Sequence, residues 1–141
     1  MNFSYQLEQL VFYYGDQLAL SLDKLDIEAG KTVALIGENG SGKSTLLAIL
    51  AFLELAPQGR LLFCNELLNN NKLVSYRRRV GFLAQKPFML QGTVLDNIQL
   101  ALKIQAKKQP VDKIMRLLEQ FNIAHCAGQS AKQLSGGELQ K

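Results

Sequence analysis

The stretch Gly37-Glu38-Asn39-Gly40-Ser41-Gly42-Lys43-Ser44-Thr45 sets residue types suited to holding a polyphosphate at a fixed spacing. It satisfies G-x-x-x-x-G-K-[ST], the phosphate-binding P-loop. A polyphosphate must leave water, and its charge must be met by donors already in place. Glycines at 37, 40 and 42 let the backbone curl, so that successive N–H groups point inward at phosphate oxygens. Glu38, Asn39, Ser41 and Thr45 belong to the same predicted nucleotide-binding set. Lys43 is a mobile point charge for the outer phosphates, and Ser44 offers a hydroxyl to Mg²⁺. Chance yields such a match in roughly one chain in a hundred of this length, given Gly usage of about 7%.

The flanks strengthen the motif. The apolar run Thr32-Val33-Ala34-Leu35-Ile36 predicts a short buried strand before the loop, and residues 46–53 predict a helix after it. A helix there adds unpaired N-terminal N–H groups and the positive end of its dipole. Strand, glycine loop and helix together predict nucleotide binding.

Bulk properties narrow the rest. A chain of 141 residues, 48% hydrophobic and 20% charged, can bury a core of its own. The net charge of +4 is mild. Lys72 with Arg77-Arg78-Arg79, and Lys103, Lys107 and Lys108, read as solvated faces, and no nucleic-acid partner is expected. Cys64 and Cys126 form neither a disulfide framework nor a paired metal motif. His125 beside Cys126 hints at a ligand pair, but with no further ligand in view it reads as structural. The start shows no signal-peptide pattern and the longest apolar stretch is too short to span a bilayer, which predicts a cytoplasmic protein.

Along the chain, residues 3–14 alternate as a half-buried strand, and Gly15-Asp16 marks a turn. A second strand comes next over residues 18–27, with a break near Asp23-Lys24. Pro57-Gln58-Gly59 reads as a break before a strand at residues 60–64, and Asn69-Asn70-Asn71 as a polar loop. A brief helix near residues 73–78 leads to Val80-Gly81-Phe82-Leu83-Ala84, a further core strand ending at Gln85. Thr93 is the predicted N-cap of a helix to about Lys107, with Val94, Leu95, Ile98, Ala101 and Leu102 on one face. Pro110 begins another to Phe121, its apolar face Val111, Ile114, Met115, Leu118 and Phe121, with Met115 as core filler.

Near the end, Leu134-Ser135-Gly136-Gly137-Glu138 reads as a helix start, with Ser135 as cap and Glu138 at capping-box spacing. Taken with the P-loop and Gln85, this stretch makes the whole chain resemble the ATP-binding cassette family, whose signature is Leu-Ser-Gly-Gly. Residues 80–87 resemble that family's Q-loop, and Tyr14 its adenine-stacking aromatic, Tyr13 being the alternative. Gln85-Lys86-Pro87 and the residues after it resemble the family's importers of inorganic anions.

The resemblance implies an α/β fold: a P-loop NTPase core with a mainly parallel sheet, an N-terminal antiparallel β flap and a helical insert, incomplete at the C-terminus. It implies a core over 1–85, a helical subdomain over 86–127 and a signature region over 128–141. ATP and Mg²⁺ are the implied cofactors. Lys43 and Gln85 take catalytic roles, Ser44 and Gln85 serve the metal, and Ser135, Gly136, Gly137 and Glu138 meet nucleotide held by a second cassette subunit, identical or not. An integral membrane transporter subunit is the implied partner, placing the protein peripherally on the cytoplasmic membrane face. Alternatives are a nucleotide-binding remnant without hydrolysis and a soluble cassette ATPase outside transport.

The family's Walker B aspartate, catalytic glutamate and switch histidine find no counterpart before Lys141, and His125 precedes the signature. The expectation is a truncated form that binds nucleotide but hydrolyses it poorly.

Overall fold

A computed structural model describes residues 2–56, 58–85, 88–105, 107 and 109–141. Pro57, Lys86, Pro87 and Lys108, named above, lie outside the described residues. The chain divides into two compact units, Met1–Phe82 and Leu83–Lys141.

In the first unit, β1 (Phe3–Tyr14) and β2 (Gln17–Glu28) form a hairpin across Gly15-Asp16. The expected break near Asp23-Lys24 does not occur, since Lys24 pairs with Glu8 inside a continuing ladder. On the other side of β1 lies β3 (Gln58–Phe63), followed by the short β4 (Glu66–Leu67). The order is β2-β1-β3-β4, antiparallel throughout. Gln58 and Gly59 therefore open a strand instead of breaking the chain. Gly59 is required there: at φ +100, a Cβ would lie 2.6 Å from both the Gln9 carbonyl oxygen and the Leu10 Cα. β1 bulges at that point, with Gln9 at φ +47 and the register slipping between Glu8 and Val11.

Two expected core strands differ. Residues 32–36 and 80–84 join no ladder, so the sheet among the described residues is antiparallel and not mainly parallel. Ile36 is 90% exposed and Leu83 82%. An apolar run marks a segment fit to be buried between neighbours, but a strand exists only when a neighbouring backbone accepts its hydrogen bonds.

Helix α1 (Lys43–Leu50) stops three residues before the predicted end. Phe52 turns left-handed at φ +58, its N–H donating to the Ile49 carbonyl while the Leu53 N–H donates to that of Ala48. This double closure is usually built on glycine. Here the backbone strain, about 1–2 kcal/mol, is offset by burying an aromatic ring, worth about 1.5–3 kcal/mol. Phe52 is fully buried, with ring centroids 5.1 Å from Phe63 and 5.3 Å from Tyr76. Leu7, Leu10, Phe12, Leu20, Leu46, Ile49 and Leu61 complete this core.

Tyr76 belongs to α2 (Leu73–Arg77), whose basic neighbours are largely used within the unit. Lys72 pairs with Glu66, the Arg77 Nε donates to the Phe52 carbonyl at 2.8 Å, and Arg79 lies 4.6 Å over the Phe63 ring. All four basic residues are nonetheless exposed, so the cluster is the expected solvated face with added contacts to its own unit.

In the second unit, α3 (Val94–Ile104) begins at Thr93 as expected and ends at Ile104, with Gln105 as its C-cap. Helix α4 (Val111–Gln120) follows Pro110 and closes through Asn122 at φ +56. Val94, Ile114 and Leu118 pack with Ile123, Cys126 and Ala127, and Met115 fills in beside them. Ala101, Val111 and Phe121 of the predicted apolar faces are exposed instead. Two 3₁₀ turns, Ala124–Cys126 and Ala131–Gln133, lead to α5 (Gly136–Gln140). No helix among the described residues is long and apolar enough to cross a membrane.

Candidate functional site

Residues 37–45 lie together in the first unit, with residues 37–41 and Ser44 exposed. Gly40 and Gly42 both stand at φ +83, the backbone curl that the glycine spacing predicts. Among the described residues, none accepts a hydrogen bond from the N–H of Gly40 or Gly42. Gly42 is also the N-cap of α1, which has no side-chain cap and no acidic residue in its first turn. The loop therefore offers unpaired N–H donors at the positive end of a helix.

Lys43 arches back over this loop. Its Nζ donates to the Gly37 carbonyl at 2.8 Å and to the Glu38 carbonyl at 2.5 Å. The third contact, 3.5 Å to the Ser41 Oγ, is at the limit of a hydrogen bond, so one ammonium donor is left for an anion. Ser44 comes next with an exposed hydroxyl. Charge, donors and hydroxyl fit a polyphosphate with Mg²⁺.

Residues 135–138 lie together in the second unit as a capped helix start. The Ser135 N–H donates to Glu138 Oε2 at 2.8 Å, and the Glu138 N–H donates back to Ser135 Oγ at 3.3 Å. The Ser135 hydroxyl also donates to Oε2 at 2.6 Å, and with these bonds foremost the Glu138 carboxyl is held down to about 2. Gly136 and Gly137 are exposed, with nothing within 4 Å of where a Cβ would stand.

The family model for ABC transporters matches residues 20–141. The chain belongs to the ATP-binding cassette family. Among curated relatives, the sulfate/thiosulfate import ATP-binding protein CysA of Yersinia pestis is 36% identical over 98% of this chain and 39% of its own length. CysA of Escherichia coli K12 is 36% identical over 91% of this chain and 36% of its own length. The chain thus spans about two fifths of the curated relatives it matches. Among solved structures, cbiO1 from Clostridium perfringens, part of the ABC transporter complex cbiONQ, superposes with a TM-score of 0.75 at 25% identity. That match covers 99% of this chain and 59% of the other. A dimeric ATP-binding cassette in a post-hydrolysis state, bound to ADP and Pi, gives a TM-score of 0.78 at 28% identity, over 96% of this chain and 65% of its own. The P-loop NTPase fold of the cassette ATPases is shared.

Other expected cassette positions fall within their own units. Tyr14 is 52% exposed at the end of β1, edge-on to Phe12 at 4.9 Å, and Tyr13 is 44% exposed. Gln85 is exposed in a bend of the second unit.

Three supporting groups escape a reading of the sequence. The Ala19 carbonyl of β2 backs onto Gly42. Asn97 clamps the approach to α3, its amide bonding both backbone groups of Leu90 and the Thr93 carbonyl. His125 and Cys126 converge on Glu138. The first and last depend on a tertiary approach that sequence spacing does not signal, while Asn97 acts locally, on Leu90 and Thr93 of its own approach segment.

Proposed function

We propose that this chain binds ATP with Mg²⁺ and forms part of an ATP-binding subunit that drives import of an inorganic oxyanion through a membrane partner. The observation that carries this reading is the P-loop itself: unpaired N–H groups at Gly40 and Gly42, an uncapped helix start, and Lys43 poised above them. The substrate class is supported by relatives named for sulfate and thiosulfate import.

In this reading the loop N–H groups and Lys43 grip the phosphates, Ser44 attends the metal, and Tyr14 stacks on the adenine. When bound, Mg²⁺ neutralises phosphate charge. Ser135, Gly136, Gly137 and Glu138 face nucleotide held by a second cassette subunit, and closure supplies donors that one subunit alone does not have. Residues 32–36 lead into the loop with apolar side chains exposed, and a parallel neighbour would bury them, as the mainly parallel core of this reading requires.

A fluorescent ATP analogue, displaced by ATP but not by adenosine, tests the binding step. Saturable, Mg²⁺-dependent displacement is expected, and its absence from a folded chain overturns the reading. Copurification of a hydrophobic membrane subunit tests the assembly.

A further inference from the structure

Glu138 divides its two carboxylate oxygens between different tasks. Oε2 serves the cap on Ser135, while Oε1 faces the turn at Ala124–Cys126. There the His125 Nε2 lies 3.4 Å from Oε1 and the Cys126 Sγ 3.3 Å from it. The three candidate donor atoms all fall within 4.8 Å of one another.

The Cys126 thiol at 3.3 Å can donate to Oε1 in the metal-free chain, whereas the histidine contact is too long for a direct bond. A nitrogen–oxygen hydrogen bond spans about 2.7–3.2 Å, shorter than the histidine contact here. Zinc–ligand bonds of about 2.0–2.3 Å at tetrahedral angles put neighbouring donor atoms about 3.3–3.6 Å apart. Both contacts to Oε1 lie in or near that range, and the remaining separation, within 4.8 Å, closes to it by rotation of the exposed His125 side chain. Thiolate, imidazole and carboxylate together form a borderline-soft set that selects zinc over magnesium or calcium.

We propose that Cys126, His125 and Glu138 form a three-ligand Zn²⁺ site, with a fourth position open to water. Entry is from the exposed His125 side, and the thiol of Cys126 gives up its proton to solvent as the metal binds. The cap on α5 survives, because the metal uses only Oε1. Zinc thereby ties the first turn of α5 to the turn at 124–126, both within the second unit. Glu138 also belongs to the proposed nucleotide-facing set, but zinc uptake is measured without nucleotide, so the two readings fail separately.

The test uses the full chain carrying Cys64→Ser, which removes the exposed competing thiol. Zn²⁺ is titrated against a chromophoric chelator, and Co²⁺ serves as a spectroscopic probe. One Zn²⁺ per chain is expected, with a sulfur-to-cobalt charge-transfer band that disappears in Cys126→Ser. His125→Ala and Glu138→Gln should each weaken zinc binding by more than about tenfold, since even outer-shell partners are worth that much. Glutamine can still cap at that position, so the second variant removes the ligand and keeps the helix start. Cys126 is buried; if its variant does not fold, exposed His125 decides. Absence of stoichiometric zinc uptake, or a His125→Ala chain that binds zinc as tightly as its parent, overturns the site.

Discussion

Gly42 packs so closely on the Ala19 carbonyl that a Cβ at position 42 would lie 2.6 Å from that oxygen. The same residue stands at φ +83, where an L side chain is strained even in open space. One glycine thus answers to the loop, which needs the curl, and to β2, which needs the gap. Gly42→Ala should cost about 1–3 kcal/mol in strain before any clash is counted. Gly15, left-handed but with nothing within 4 Å of its Cβ position, should lose less on the same change. Urea unfolding of the two variants makes the comparison, and equal losses would show that the Ala19 contact is immaterial.

Lys43 bridges loop carbonyls and, in the proposed function, phosphate. Replacing it with alanine removes a charge-assisted contact, which is typically worth a factor of about 10–100 in affinity. Nucleotide displacement should report that loss. Its folding midpoint should move little, since the lysine's loop hydrogen bonds are exposed ones. A large fall in the midpoint would recast Lys43 as chiefly a structural clamp.

The cap at Thr93 gives α3 a dependence on acid. The Thr93 backbone N–H and then its hydroxyl donate to Asp96 and hold its carboxyl below the ordinary value of 3.8. A carboxylate with a lowered folded value stabilises the fold above 3.8, and that contribution fades as pH falls below it. Thr93→Ala should cost about 1 kcal/mol near neutrality. Amide exchange at residues 94–97, monitored from neutral pH into acid, should show protection falling in the parent chain. A flat acid profile would remove the Asp96 link.

What can be read in the sequence is local. Thr93 and Ser135 announce their helices because a cap and its partner lie three residues apart, within reach of any spacing argument. The P-loop is legible for the same reason. Residues 32–36 mislead because their hydrophobicity tells what they suit and not what stands beside them. The end of α1 escapes because Phe52 occupies a backbone conformation normally left to glycine, at a site made favourable by Phe63 and Tyr76. His125 and Cys126 lack a third partner until the fold brings Glu138, twelve residues on from the cysteine, to both of them.

Tyr5 offers a reading of the first unit from the alkaline side. Its hydroxyl donates to the Leu50 carbonyl at 2.9 Å, just where α1 ends, and its ring lies 5.0 Å from Phe63. Burial foremost, with Cys64 adding to it, pushes the phenol up to about 12 from 10.0. The folded chain therefore holds this proton more tightly than the unfolded chain does. Its contribution to stability is complete below pH 10 and is lost as pH rises toward 12. Tyr5→Phe removes both the bond to Leu50 and the titration, so the variant should start less stable but decline less between those two values. Unfolding measured across that window distinguishes the chains, and parallel decline in both would place the alkaline loss elsewhere in the fold.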